Sequence, residues 1–149
     1  MFFLNANLFF KHHIQKELSF EEHLPTVTGL YRDFSQSLLH IIQNAIDAVY
    51  DSETRKITIS TKLVDKYILI QIADTGIGIN EEDKKKIFSP FFTTKQSQLD
   101  VDNVPEAPRG SGLGLSLAKN SLAPYGVEIE FESVAEQGTT FTVKIPRPE

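Results

Sequence analysis

The chain has no cysteine, which removes disulfide frameworks and thiolate zinc sites from consideration and fits a reducing compartment. It also has no basic excess. The formal net charge is −5 and the isoelectric point near 5.4, whereas a nucleic-acid surface would carry a Lys/Arg excess or cluster. The one basic run, Lys84-Lys85-Lys86, follows Glu81-Glu82-Asp83 and reads as a solvated helix face. No apolar run approaches the roughly 18 residues that a membrane helix needs, so no membrane contact is expected of this segment. Residues 1–10 are apolar, but they lack the basic start of a signal peptide and are interrupted by Asn5 and Asn7. Residues 1–14 therefore read as the end of an upstream helix or a linker. Residues 15–149 read as one domain, a length that supports a single core. A cytoplasmic setting is expected.

What is present centres on residues 68–79, where a carboxylate and two glycines follow an apolar strand. Ile68, Ile70 and Ile72 share one parity of a two-residue period, so Asp74 continues the row that faces the core. Burying an unpaired charge is costly, while a charge-assisted hydrogen bond to a donor such as an adenine amino group returns about 1.5–3 kcal/mol. A ligand would satisfy that carboxylate. Gly76 and Gly78 read as positions of positive φ that let the backbone turn and approach the ligand closely. A tight turn at a strand end accounts for the same residues.

The rest of the chain frames this stretch. Residues 15–20 read as a short edge strand. A long helix follows, with Asp33 or Ser35 as its cap. Leu38, Leu39, Ile41, Ile42, Ala45, Ile46 and Val49 fill one half of its wheel. His40 and Asn44, about 40° apart, point the same way from the boundary of that arc. Strands over residues 56–64 and 67–74 are joined by Asp65-Lys66 as a hairpin turn. Asn80 and the acids after it cap a short helix, and Ile87-Phe88-Ser89-Pro90-Phe91-Phe92 forms an aromatic cluster. Residues 93–109 have little periodicity and two prolines, the composition of a lid. Gly110-Ser111-Gly112-Leu113-Gly114-Leu115 then opens a helix with apolar Leu117, Ala118 and Leu122, an arrangement suited to phosphate. In the closing hairpin Val127, Ile129 and Phe131 face in and Glu128, Glu130 and Glu132 face out. Thr139 shares the inward parity of Phe141, Val143 and Ile145.

In this order, four segments resemble the N, G1, F and G2 boxes of the catalytic ATP-binding domain of sensor histidine kinases. They are residues 40–48 (His-Ile-Ile-Gln-Asn-Ala-Ile-Asp-Ala), 74–79 (Asp-Thr-Gly-Ile-Gly-Ile), 87–95 (Ile-Phe-Ser-Pro-Phe-Phe-Thr-Thr-Lys) and 110–115. The resemblance spans about residues 15–146. It implies an α/β two-layer sandwich of the Bergerat type, with a mixed β-sheet packed on helices and ATP held between the helical layer and a mobile lid. It implies that Asp74 accepts from the adenine amino group and that Thr139 supports the adenine through a hydroxyl or water contact. Asn44 would ligate Mg²⁺, which suits a hard cation that takes few protein oxygens. Lys95 and Arg109 would approach the terminal phosphates, and Gly110, Ser111, Gly112, Leu113 and Gly114 would cradle them. Gly76, Gly78, Ile79, Phe88 and Thr94 complete the implied nucleotide-binding set. Asn44, Lys95 and His40 are the implied catalytic residues.

Two departures shape the expected activity. Many members of that family carry Asn where this chain has His40, although chemotaxis-type kinases can have His. Gyrase-like and chaperone ATPases place a glutamate base there, and its absence argues against efficient water activation. His40 is open between positioning metal or phosphate and a structural role. None of the four histidines is followed by an acid and then a proline a few positions on, the setting of a phosphoacceptor. The chain is therefore expected to bind ATP and Mg²⁺ and to be monomeric when isolated. It would act on the helical phosphoacceptor domain of its parent kinase, with a response regulator downstream. Two other readings exist, a stand-alone anti-sigma-factor-type serine kinase and a non-catalytic nucleotide-binding interaction module. The first generally has an acid at the His40 position and lacks the Phe91-Phe92-Thr93-Thr94-Lys95 signature. Intact Asn44, Asp74 and lid glycines argue against the second.

Overall fold

The computed structural model describes residues 13–93 and 113–149. Within them run β1 (Gln15–Ser19), α1 (Tyr31–Val49), β2 (Lys56–Val64), β3 (Tyr67–Asp74), α2 (Glu81–Lys84) and α3 (Gly114–Leu122). A 3₁₀ turn (Ala123–Tyr125) follows, then β4 (Glu128–Val134) and β5 (Gly138–Pro146). The strands form one mixed sheet in the order β1-β2-β3-β5-β4. β1 pairs parallel with β2, because α1 carries the chain back between them, and the other pairs are antiparallel. The hairpin between β2 and β3 turns at Asp65 and Lys66, with Asp65 at φ +52°.

The strands alternate, so one sheet face is apolar. It meets the apolar arc of α1: Ile41, Ile42, Ala45, Ile46 and Val49 pack with Ile57, Ile59, Ile68, Ile72, Phe141, Val143 and Ile145. On β4 the glutamates Glu128, Glu130 and Glu132 are exposed, and Val127, just before the strand, is buried, as their parity requires. The two-layer sandwich expected from the sequence is the architecture found. No helix among the described residues is long and apolar enough to cross a membrane.

Two local expectations fail. α1 starts at Tyr31, earlier than a cap at Asp33 or Ser35 allows, and its N-cap, Leu30, makes no side-chain cap bond. Asp33 lies in the first turn, where its Oδ2 accepts from the Tyr125 hydroxyl at 2.6 Å. The Tyr125 ring packs on Phe34 at 5.0 Å, and its oxygen accepts from the Leu30 N–H at 3.2 Å. This contact ties the start of α1 to the turn after α3. On α3, Ala118 and Leu122, four residues apart on the core face, are fully buried, while Leu117 is 47% exposed. The second failure is at Asn80, which is the N-cap of α2 as expected but makes no cap bond through its side chain. Residues 1–12 and the lid beyond Thr93 lie outside the described residues.

Candidate nucleotide site

Asp74, Thr139 and Ser133 stand opposite one another at the same end of β3, β5 and β4. The next rows along the same face are Ile72, Phe141 and Phe131, then Ile70, Val143 and Ile129. One polar row therefore closes an apolar layer. All three of its members are buried, so their hydrogen-bonding capacity must be met locally or by a ligand. Asp74 Oδ1 accepts from the Gly76 N–H at 2.8 Å. Burial pushes the Asp74 pKa up from 3.8 to about 6, and the backbone N–H groups of Gly76 and Thr139 pull against that rise. No cation among the described residues contributes to it. A carboxylate in this state has acceptor capacity left and calls for a further donor.

Ser133 was not singled out from the sequence, yet it is the hub of the row. Its hydroxyl accepts from the Ile79 N–H at 2.8 Å, lies 3.1 Å from the Gly138 carbonyl and is 2.7 Å from the Thr139 hydroxyl. The signal was available, because Ser133 continues the parity of Ile129 and Phe131 just as Asp74 continues that of Ile70 and Ile72.

The two glycines after Asp74 serve different ends. Gly78 has φ +68°, and a Cβ there would collide with the Val134 carbonyl. Gly76, contrary to expectation, is not in the positive-φ region. It is needed because the end of α1 presses on it: an added Cβ would fall on the Ala48 carbonyl and 2.7 Å from the Ala48 Cβ. The adjacent Ile77 N–H donates to that same carbonyl at 3.1 Å. The turn after β3 is thus fastened to the helix that carries Asn44. On the far side Ile87 is buried, Phe88 stacks edge-on to Phe131 at 5.9 Å, and Lys119 Nζ lies 5.0 Å over the Phe88 ring. Phe92 is partly buried against the same core, but Phe91 points outward, 75% exposed.

His40 and Asn44 occupy successive turns of α1, both half-buried. A Cβ on Gly114 would sit 3.3 Å from His40 Nδ1 and 3.4 Å from His40 Cβ, so the start of α3 rests on the imidazole. The N-cap of α3 is Leu113, without a side-chain cap bond, and Ser116 Oγ donates to the Leu113 carbonyl at 2.9 Å. No hydrogen bond engages the Asn44 amide among the described residues, which leaves an oxygen donor of the kind a hard cation takes. The structure thus brings together Asp74, Gly76, Gly78, Ile79, Phe88 and Thr139 on the sheet side and His40, Asn44, Leu113 and Gly114 on the helical side. Thr94, Lys95, Arg109, Gly110, Ser111 and Gly112 lie outside the described residues.

Comparison with known proteins finds that residues 29–149 match the family described as Histidine kinase-, DNA gyrase B-, and HSP90-like ATPase. The chain is 35% identical over 138 residues to the signal transduction histidine-protein kinase ArlS of Staphylococcus epidermidis, covering 90% of this chain and 28% of that protein. It is 38% identical over 110 residues to ArlS of Staphylococcus aureus, covering 74% and 23% respectively. It thus spans less than a third of the length of these curated relatives. The catalytic domain of the histidine kinase ThkA aligns with a TM-score of 0.77 at 29% identity, over 98% of this chain and 88% of that one. A mycobacterial sensor histidine kinase, MprB, shares the fold at a TM-score of 0.73 and 20% identity, over 96% and 89%.

Proposed function

Because the chain belongs to the histidine kinase-, DNA gyrase B- and HSP90-like ATPase family, we propose that it is the ATP-binding catalytic unit of a two-component sensor histidine kinase. In this reading it transfers the γ-phosphoryl group of ATP to a histidine on a separate helical dimerisation domain, and a response regulator takes it onward. The proposed domain comprises residues 15–149, monomeric when isolated, working in the cytoplasm. The observation that carries the proposal is the buried polar row. A desolvated carboxylate with only backbone donors, set beside a hydroxyl at the end of an apolar layer, suits the edge of an adenine base.

Phosphoryl transfer asks chiefly for positioning and charge neutralisation. Asp74 and Thr139 would hold the base, with Gly78 and Ile79 turning the chain along it and Phe88 closing the apolar side. The first turn of α3 at Leu113 and Gly114 would direct N–H groups at phosphate. Lys95 and Arg109 would approach the terminal phosphates, with Thr94, Gly110, Ser111 and Gly112 around them. Asn44 would hold Mg²⁺ through its amide oxygen. When bound, the ion neutralises phosphate charge. The packing of His40 on Gly114 supports a positioning role for the imidazole.

The test is a transfer assay with γ-labelled ATP and the parent's helical domain. Label is expected on that domain, with slow ATP hydrolysis in its absence because no glutamate stands at the His40 position. Failure of label to appear, or brisk turnover by the isolated chain, contradicts the proposal. Asn44→Ala is expected to lower the gain in ATP affinity that Mg²⁺ confers and to slow transfer, while metal-free binding holds. Calorimetric titration of ATP with and without Mg²⁺ checks this. An equal loss in both conditions would remove Asn44 from the metal site.

A further inference from the structure

The hydroxyl bookkeeping of the polar row has one favoured solution. Ser133 Oγ has one proton to give and two lone pairs, and the Ile79 N–H takes one lone pair. If Ser133 donates to the Gly138 carbonyl, its second lone pair accepts from the Thr139 hydroxyl, and three hydrogen bonds form around it. If it donates to Thr139 instead, only two form. The three-bond arrangement consumes the Thr139 proton inside the protein. Thr139 then offers only lone pairs outward, next to an ionised Asp74 that also can only accept.

We propose that Ser133 is a specificity-determining positioning residue, which fixes the Thr139 hydroxyl as an acceptor beside the Asp74 carboxylate so that the pocket selects a 6-amino purine over a 6-oxo purine. An exocyclic amino group brings two donors to the two acceptors. A 6-oxo group brings a third acceptor, which no rotation of the Thr139 hydroxyl can relieve while Ser133 holds its proton. The inference rests on the ATP-binding reading and deepens it.

The experiment measures affinity for ATP and for inosine triphosphate by calorimetry at pH 8, where Asp74 is ionised, and compares their ratio among variants. The wild-type chain should prefer ATP. Ser133→Ala leaves the Thr139 proton free to turn towards a 6-oxo group, and should reduce that preference by about 2- to 12-fold, the span of one neutral hydrogen bond. In a Thr139→Val background, Ser133→Ala should leave the ratio unchanged, because the group it acts through is gone. Ser133→Thr, which keeps the hydroxyl, should retain the wild-type ratio. A purely structural Ser133 would weaken both nucleotides alike, so an unaltered ratio in folded Ser133→Ala overturns the inference. So does an equal change in the Thr139→Val background. Should Ser133→Ala fail to fold, Thr139→Val alone decides: a smaller preference for ATP, with the part owed to Asp74 left, supports the inference, and a retained ratio overturns it. If the wild-type chain binds neither nucleotide, it is the ATP reading that fails.

Discussion

Gly76→Ala should destabilise the domain by about 3 kcal/mol, the upper end of what overpacking costs. The added methyl meets backbone, the Ala48 carbonyl carbon and oxygen at the end of α1, rather than a side chain that could swing away. Relief requires either α1 or the chain after β3 to move. The Ile77 N–H bond to the Ala48 oxygen joins these two segments, so moving either strains it. Gly114→Ala is the matched control. Its nearest neighbours are atoms of the His40 side chain at 3.3 Å or more, which can shift by a few tenths of an ångström. That substitution should change stability by less than about 1 kcal/mol. Urea unfolding followed by circular dichroism measures both, with an unchanged slope showing that the denatured state is not the cause. Equal midpoints for Gly76→Ala and wild type would mean that the end of α1 does not press on the turn after β3 as described.

The contrast between these glycines explains what the sequence made legible. Period and parity are local properties, and the elements that rest on them are found where expected: β2 and β3 at residues 56–64 and 67–74, the apolar arc of α1, and the inward placement of Asp74 and Thr139. What depends on contacts between distant residues was misread. Asp33 has the chemistry of a helix cap, but Tyr125, 92 positions later, claims its carboxylate. Gly76 resembles a turn glycine, and its actual constraint lies in Ala48, on another element. Ser133 was overlooked because a serine after alternating apolar residues looks like the end of a strand. Only the register of β4 on β5 places it against Thr139. The four boxes could be read from the sequence as a resemblance, but the hydroxyl contact between Ser133 and Thr139 could not.

Asp74→Asn should move stability and binding in opposite directions. The Asp74 pKa rises from 3.8 to about 6 on folding, chiefly because burial penalises the charge. For an acid whose folded pKa is raised, the protonated form favours the native state. Its contribution is full below about pH 4 and is lost as pH climbs through about 6. At neutral pH the ionised carboxylate therefore costs the nucleotide-free fold about 3 kcal/mol, at 1.36 kcal/mol per pH unit. Asparagine keeps an oxygen for the Gly76 N–H and carries no charge. The nucleotide-free variant should gain about 1–3 kcal/mol at pH 7.5 and lose most of the wild-type decline in stability between pH 4 and pH 6. The same change removes the charged acceptor proposed for the adenine amino group, which should weaken ATP binding by about 10- to 150-fold, corresponding to 1.5–3 kcal/mol. In the wild-type chain adenine affinity should also fall as pH drops through about 6, and in the variant much less. Thermal melts across that pH range, with calorimetric titration of ATP at pH 7.5, measure both effects. A variant that is less stable than wild type when nucleotide-free, or that binds ATP as tightly, would show that the Asp74 carboxylate is held for the fold and not for the ligand.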